Sequence, residues 1–374
     1  MDGASEGPCF HGGAFFGAIG DEFGDLGRSA DIVNADVLDA WFPPAPSVLE
    51  ALSEYLPWIV RTSPPTDCAG MARVIAETRG VDPAHVLPGA GSSALIFLAF
   101  ARWLTGGSRV LLLDPTYGEY SHVLALVGCR VDRFTVDRSS GYAVDPDRLA
   151  TVAAAGRFDW IVLVDPNSPT GQMLPREAMH ALLDAVPEST RVWIDETYVD
   201  YVGAEHSVER RAARQANVVV CKSMSKAYAL SGVRAAYLCG TTETLATLRP
   251  WVPPWAVSLP AQIAAVYALR DPGYYAARYE ETHALRGRLE AGLARLPGVE
   301  TVPAVANFVL CHLDPGGPTA ATVAARCRET GVFVRDAGNM GTGLGSHALR
   351  VAVKELDATD RILESLDDAL CRAP

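Results

Sequence analysis

The sequence has no hydrophobic run long enough to cross a membrane, and it is poor in basic charge. No apolar run reaches about 18 residues, and the N-terminal residues lack the basic segment followed by an apolar one that marks an export signal. Lysine and arginine total 32 against 44 acidic residues, a net charge of −12, and no basic stripe carries interleaved aromatic residues. We therefore expect a cytoplasmic protein with neither a membrane nor a nucleic-acid partner.

The sequence also lacks any C-x-x-C pair. Its eight cysteines are at positions 9, 68, 129, 221, 239, 311, 327 and 371, several of them inside apolar runs. This pattern is typical of small core residues in a reducing compartment, and it favours neither a disulfide framework nor a zinc site. No metal site is predicted.

The central part of the chain alternates β-rich runs with helical stretches. Near-continuous apolar runs of this kind are typical of a mostly parallel sheet with helices on both faces. The predicted strands are Arg109–Asp114, Val131–Val136, Trp160–Val164, Val192–Ile194, Val218–Cys221 and Ala235–Cys239. The predicted helices are Ala94–Leu104, Tyr120–Val127, Asp147–Ala154 and Arg176–Ala185.

Composition changes at both ends of this central part. Residues 1–60 are rich in Gly and Pro with one helix at Pro46–Leu56, and we expect an N-terminal arm that adds a segment to a small domain. Residues 61–260 are predicted to form the large domain. Residues 261–374 are predicted to form a small α+β domain, with a helical stretch at Ala261–Leu296, strands at Phe308–Leu313 and Leu349–Val353, and a helix at Ala358–Leu370.

The most informative segment is the SMSK sequence that follows the predicted strand Val218–Cys221. It sets Lys226 beside Ser223 and Ser225, with Arg234 eight residues further on. A pyridoxal 5′-phosphate enzyme needs an amine to hold the cofactor aldehyde as an imine, and donors for its phosphate. An isolated motif of this kind fits a surface lysine with helix-capping serines equally well. The preceding strand favours a ligand site, because open α/β sheets bind ligands at strand ends.

Four further segments are expected at strand ends in the large domain. Gly91, Ser92 and Ser93 open a helix, where glycine allows close backbone approach and the free N–H groups attract an anion. A glycine-rich turn alone is a weak signal. The other segments are DPTYGEY with Tyr117, DPNSPTG with Asn167, and WIDETY with Asp195 and Tyr198.

Asp195 ends a buried strand, where a carboxylate is costly unless it meets a cation. The alternative interpretation is that Asp195 caps the N-terminus of a helix. For Tyr117 the alternative is a core tyrosine, and the turn around Asn167 would be a good turn in any protein.

Together the five ordered motifs resemble the fold-type I pyridoxal-phosphate enzymes, aminotransferase class I/II, over residues 30–370. The nearest relatives look like histidinol-phosphate aminotransferases and threonine-phosphate decarboxylases. The resemblance implies the α/β, PLP-dependent transferase fold type I: a large domain with a mostly parallel sheet of the seven-stranded type flanked by helices, plus a small α+β domain. It also implies a homodimer with its active sites at the subunit interface.

The resemblance assigns cofactor roles residue by residue. Lys226 and Asp195 are the predicted catalytic residues, the first as imine partner and proton shuttle, the second as partner of the pyridine nitrogen. The cofactor phosphate is assigned to Gly91, Ser92, Ser93, Ser223, Ser225 and Arg234. Tyr117 is expected against the pyridine ring, and Asn167 and Tyr198 at the phenolic oxygen.

Three residues are assigned to the substrate. Arg350 is expected to clamp the α-carboxylate, with an exposed strand arginine as the alternative, and Asn307 is expected near the substrate. His11 in the segment HGG matches the decarboxylase branch, and a mobile tail is the alternative.

Two departures affect substrate selection. The arginine-tyrosine-proline segment of the relatives is replaced after Arg61 by TSPP, and their asparagine-rich N-terminal segment has become NADVLD at residues 34–39.

The predicted function is an enzyme acting at Cα of an amino acid through an external aldimine, with transamination as the first reaction. Decarboxylation is the alternative, followed by β-elimination or decarboxylation with oxidative deamination. A non-catalytic regulator or binding module with this fold is a rival from another class. The intact Lys226, Asp195 and Arg234 argue against it.

Overall fold

The computed structural model describes residues 12–20 and 22–372, and it contains two β-sheets with helices packed around them. The strands are β1 Val33–Ala35, β2 Val86–Gly89, β3 Arg109–Asp114, β4 Arg130–Thr135, β5 Trp160–Val164, β6 Arg191–Asp195, β7 Val218–Ser223, β8 Ala236–Cys239, β9 Glu300–Val302, β10 Phe308–His312, β11 Val332–Asp336 and β12 Ala348–Ala352. The α-helices are α1 Phe15–Ile19, α2 Pro46–Arg61, α3 Ala69–Arg79, α4 Ser92–Trp103, α5 Gly118–Val127, α6 Pro146–Ala155, α7 Arg176–Ala185, α8 Glu209–Ala212, α9 Thr242–Ala246, α10 Leu259–Leu269, α11 Pro272–Leu293, α12 Ala320–Glu329 and α13 Leu356–Cys371.

The larger sheet has seven strands in the order β2-β8-β7-β6-β5-β3-β4. The strands from β7 to β4 are parallel, and β8 runs antiparallel to both of its neighbours. Successive residues of a strand point to opposite faces. Leu111 and Leu113 of β3 therefore pack with α6 and α7, while Val110 and Leu112 pack with α4 and α5. Burial on both faces explains the continuous apolar strands of the sequence.

The smaller sheet has five strands in the order β1-β11-β12-β10-β9. Strand β1 comes from the N-terminal arm and pairs in parallel with β11, whereas the other pairs are antiparallel. Helices α12 and α13 pack against it, so the N-terminal arm is tied to the C-terminal part of the chain.

The fold class is confirmed, and the six strands predicted in the central part are present. Strand β2 is not among the predicted strands, and it contains Pro88, which an edge strand tolerates. The predicted helical stretch 261–296 is two helices, since Asp271 caps a new helix that begins at Pro272. Helix α2 continues past the predicted end through Pro57, and α10 packs along it. The domain boundaries remain predictions.

Over the described ranges, no helix is long and apolar enough to span a bilayer, and no group of His, Cys, Asp and Glu side chains is placed to hold a metal ion. The cysteines at positions 68, 221, 239, 311 and 327 are free and buried.

A cluster of buried charges lies beneath the ends of β6 and β7. The Nζ of Lys222, which is fully buried, lies 3.5 Å from Glu196, 3.4 Å from Asp200 and 3.6 Å from Glu209. Arg79 of α3 contacts Asp200 at 2.9 Å and Glu209 at 3.5 Å. Burial opposes ionisation of Asp200, yet the two cations hold its pKa below its usual value. The cluster thus joins α3 to the central strands by charge.

Replacement of Lys222 by methionine should lower the free energy of unfolding by about 3–5 kcal/mol, because it leaves buried carboxylates without one of their cations. Arg288, whose ion pair with Asp360 is half exposed, offers the matched control. Arg288→Met should cost less than about 1 kcal/mol. Thermal unfolding of both variants measures the difference, and equal midpoints would contradict a stabilising role for Lys222.

Candidate active site

A cavity of about 390 Å³ lies at the carboxyl ends of the parallel strands, where α/β sheets bind ligands. It contains ten of the residues that the sequence predicted for the site, brought together from both sheets. They are Ser92, Ser93, Tyr117, Asp195, Tyr198, Ser223, Ser225, Lys226, Arg234 and Arg350.

One end of the cavity is built to receive an anion. Gly91 precedes α4 with φ +90°, and a Cβ at this position would lie 2.5 Å from Nη2 of Arg234. Nη1 of Arg234 donates to the carbonyl of Ser231 at 3.0 Å and lies 3.5 Å from Oγ of Ser225. The N–H groups of the first turn of α4 point to the same end. Glycine is therefore required at position 91, because any side chain would fill the space beside the arginine.

Lys226 lies in the loop after β7, and its carbonyl accepts a hydrogen bond from Tyr201 at 2.9 Å. Its Nζ donates to Oδ1 of Asp39 at 2.9 Å. Burial lowers the pKa of Lys226, and the carboxylate of Asp39 opposes that shift. The chain has only three lysines, and Lys222 and Lys354 are also buried, but Lys226 is the one that lines the cavity. It is not a solvated surface lysine.

Asp195 ends β6 with its carboxylate buried and held in place. Oδ2 accepts from the hydroxyl of Tyr120 at 2.7 Å, and Oδ1 accepts from the amide of Thr197 at 3.0 Å and from its hydroxyl at 2.6 Å. Burial raises the pKa of Asp195, and these hydrogen bonds oppose the rise. The helical turn that follows is a short 3₁₀ segment capped by Tyr198, so Asp195 does not cap a helix.

Two tyrosines form walls of the cavity. Tyr117 precedes α5, and its hydroxyl donates to Oε2 of Glu119 at 2.6 Å, the same oxygen that Ser93 contacts at 2.9 Å. This shared carboxylate links Tyr117 to the first turn of α4. Tyr198 packs edge-on against Phe308 with ring centroids 5.3 Å apart. Tyr117 is only partly buried and faces the cavity, so it is not a core tyrosine.

Asn167 is buried and does not line the cavity, and its role at the phenolic oxygen stays a prediction. Its amide nitrogen donates to the carbonyl of Pro115 at 2.9 Å and to Oγ1 of Thr170 at 3.0 Å, and its oxygen accepts from Thr116 at 2.9 Å. The bonds to Pro115 and Thr116 tie the loop after β5 to the loop after β3, and the bond to Thr170 lies within the loop after β5. The next residue, Ser168, lines the cavity instead. Its position directly before Pro169 was the available signal.

Arg350 lies on β12 and is buried, not exposed. Its guanidinium donates to Oγ of Ser168 at 3.0 Å and to the carbonyl of Asp36 at 3.0 Å, and it lies 5.8 Å from the ring centre of Phe308. Burial lowers its pKa to about 10. Its Nε has no partner within the described residues and is free to bind a ligand.

The place of Asn307 near the substrate also stays a prediction. Asn307 is fully buried, does not line the cavity, and donates from Nδ2 to the carbonyl of Leu38 at 3.0 Å. It therefore fixes the arm that forms the cavity wall. His11 lies outside the described residues. Gly13, two residues later, lines the cavity and donates from its amide to Oδ2 of Asp36 at 3.2 Å.

The N-terminal arm supplies wall residues that the sequence did not reveal. Phe15, Phe16, Val37, Leu38 and Asp39 line the cavity. The change of the relatives' asparagine-rich segment into an acidic one was the available signal.

Comparison with known proteins agrees with this geometry. The family model for aminotransferase class I and II matches residues 41–366. A relative described as histidinol-phosphate aminotransferase 2 of Gluconobacter oxydans is 30% identical over 350 residues, covering 93% of this chain and 94% of the relative.

Two solved structures have a similar fold. Histidinol-phosphate aminotransferase from Sinorhizobium meliloti, in complex with pyridoxal-5′-phosphate, has a TM-score of 0.81 at 22% identity, covering 90% of this chain and 89% of that chain. L-threonine-O-3-phosphate decarboxylase from Porphyromonas gingivalis has a TM-score of 0.79 at 24% identity, covering 90% of this chain and 99% of that chain. This chain is therefore a pyridoxal 5′-phosphate-dependent enzyme of fold type I and belongs to the aminotransferase class I and II family.

Proposed function

We propose that the cavity around Lys226 transfers the amino group of an amino-acid substrate. The observation that carries the proposal is the placement of Lys226 in one cavity with a buried acid, an anion cradle and a buried arginine. The relatives named above act on histidinol phosphate and threonine phosphate, and the substrate of this chain is considered separately below.

The residues fit pyridoxal 5′-phosphate. The cradle of Gly91 and Arg234 at the start of α4 has the space and the charge for its phosphate, and Asp195 offers a carboxylate for the pyridine nitrogen. Tyr117 offers a ring for stacking. Ser168 replaces Asn167 as the polar group that lines the cavity from the loop after β5. When bound, the cofactor supplies an electron sink for the charge that develops at the substrate Cα.

The protein side chains divide the remaining tasks. Lys226 would hold the cofactor by its aldehyde and would move a proton at Cα, a base role that requires a neutral amine and is helped by the burial that lowers its pKa. Asp195 keeps a proton on the pyridine nitrogen, and its hydrogen bonds fix the carboxylate for that contact. Arg350 binds the α-carboxylate with its buried guanidinium.

Decarboxylation is the second candidate reaction. The observation that favours it is Gly13, since this glycine of the HGG segment lines the cavity and the segment matches the decarboxylase branch. Both reactions use the same lysine, so a lysine variant does not distinguish them. Their products do.

Incubation of the cofactor-loaded protein with single amino acids should change the absorbance of the bound cofactor and yield the corresponding keto acid. Transfer of the amino group to the cofactor should then be reversed by an added keto acid. Separate assays for keto acid, carbon dioxide and ammonia provide the measurement. Carbon dioxide in step with substrate loss would contradict transamination and support the decarboxylase alternative.

We also propose a homodimer in the cytoplasm. Helix α2 buries Val48, Ala51 and Ile59, yet it also presents large apolar side chains to solvent: Leu49, Tyr55, Leu56, Trp58 and Val60. An exposed apolar face of this kind is typical of a contact surface. A second copy of the chain would cover it, which agrees with the homodimer that the family resemblance implies.

Replacement of Val60, which is 74% exposed, by aspartate should shift the protein towards monomer, because the charge would be buried in the contact. Leu356→Asp on α13 changes another exposed apolar residue outside this face and serves as control. Light scattering at micromolar concentration measures the mass. A wild-type monomer with full activity would refute the dimer.

A further inference from the structure

One charged side chain of the cavity has no role in the proposed function. The inference that follows rests on that proposed function. Lys226, Arg234 and Arg350 are assigned to the cofactor aldehyde, the cofactor phosphate and the α-carboxylate, and Asp195 to the pyridine nitrogen. The remaining charged side chain among the described lining residues is Asp39. The part of the substrate beyond Cα therefore meets an acid.

The backbone on either side of this acid is held firmly. Arg350 donates to the carbonyl of Asp36 at 3.0 Å, Asn307 donates to the carbonyl of Leu38 at 3.0 Å, and Lys354 donates to the carbonyl of Asp39 at 3.3 Å. The Asp39 side chain is 36% exposed and lies in the cavity wall. Its position is thus set by the strands of the smaller sheet, while its carboxylate stays accessible to a ligand.

A second acid, Asp36, lies beside a further cation that does not line the cavity. Arg335 of β11 is paired across the sheet with Arg350 and is itself buried. The carboxylate of Asp36, buried as well, lies 3.9 Å from its guanidinium. Among the described residues that line the cavity, no cation remains unassigned for a phosphate on the substrate side chain.

We propose that Asp39 is a specificity-determining residue that binds a hydrogen-bond donor at the end of the substrate side chain, an ammonium or a hydroxyl group, and disfavours a phosphate. Lys226 forms an ion pair with Asp39 at 2.9 Å, and this pair would open when the lysine binds the cofactor aldehyde. A donor on the substrate then takes the place of the lysine and forms a charge-assisted hydrogen bond. A phosphate at this place meets like charge. The substrate class accordingly differs from the phosphorylated compounds named for the relatives.

Titration of the holoenzyme with matched amino acids tests the proposal, with the absorbance of the bound cofactor as the binding signal. L-ornithine and L-lysine carry a terminal ammonium, whereas L-norvaline and L-norleucine are the same chains without it, and O-phospho-L-serine carries a phosphate. One ammonium compound should bind about 10- to 100-fold more tightly than its alkyl partner, the range of a charge-assisted hydrogen bond. O-phospho-L-serine should bind more weakly than either alkyl compound.

In Asp39→Asn the preference for the ammonium compound should be lost, and O-phospho-L-serine should bind more tightly than it does to the wild type. Asp82→Asn, at an exposed cap that asparagine also satisfies, is the control and should keep the wild-type preference. If Asp39→Asn binds the cofactor poorly, the comparison of the matched amino acids on the wild-type holoenzyme still tests the proposal.

Tighter binding of O-phospho-L-serine than of the alkyl compounds, or no preference in either matched pair, would overturn the role of Asp39. A holoenzyme whose absorbance responds to no amino acid would instead overturn the proposed function.

Discussion

A buried charge must have a partner, and this constraint shapes the centre of the molecule. All three lysines lie in or beside the core, and each has an acidic residue or a carbonyl within reach. The low dielectric of the interior makes each unpaired charge costly. Lys222 meets three carboxylates below the sheet edge, whereas Lys226, four residues later, meets only Asp39. Lys222 is therefore held in one position by several ion pairs, whereas Lys226 can exchange its single acidic partner for another group.

This difference explains how one short segment serves both stability and chemistry. Strand β7 carries Lys222 inside the sheet and ends at Ser223, after which the chain enters the cavity. Asp195 at the end of the neighbouring β6 lies on the same edge because the two strands are parallel. The smaller sheet adds Arg350 and, through β1 and the arm, Asp39. Side chains far apart in sequence thus share one cavity because two sheets meet there.

The sequence predicted most of this arrangement where local signals agree. Strands β3 and β5 and helix α7 have their predicted bounds, since apolar runs and periodicity there are unbroken. Strand β2 and the break before α11 were missed because tertiary pairing and capping decide them. In the site, motif spacing located Lys226 and Asp195 at the cavity. Asn167 and Asn307 do not line the cavity, since their amides bind the backbone of other segments. The direction of a side chain depends on contacts that spacing does not encode.

The central claim is that Lys226 holds the cofactor, and the scarcity of lysine makes a direct test possible. Reduction of the holoenzyme with borohydride should fix the cofactor covalently to one lysine, which peptide mass mapping can identify. The account predicts modification of Lys226 alone, and none in a Lys226→Arg variant. Modification of Lys222 or Lys354, or no modified lysine in a protein that carries the cofactor, would contradict it.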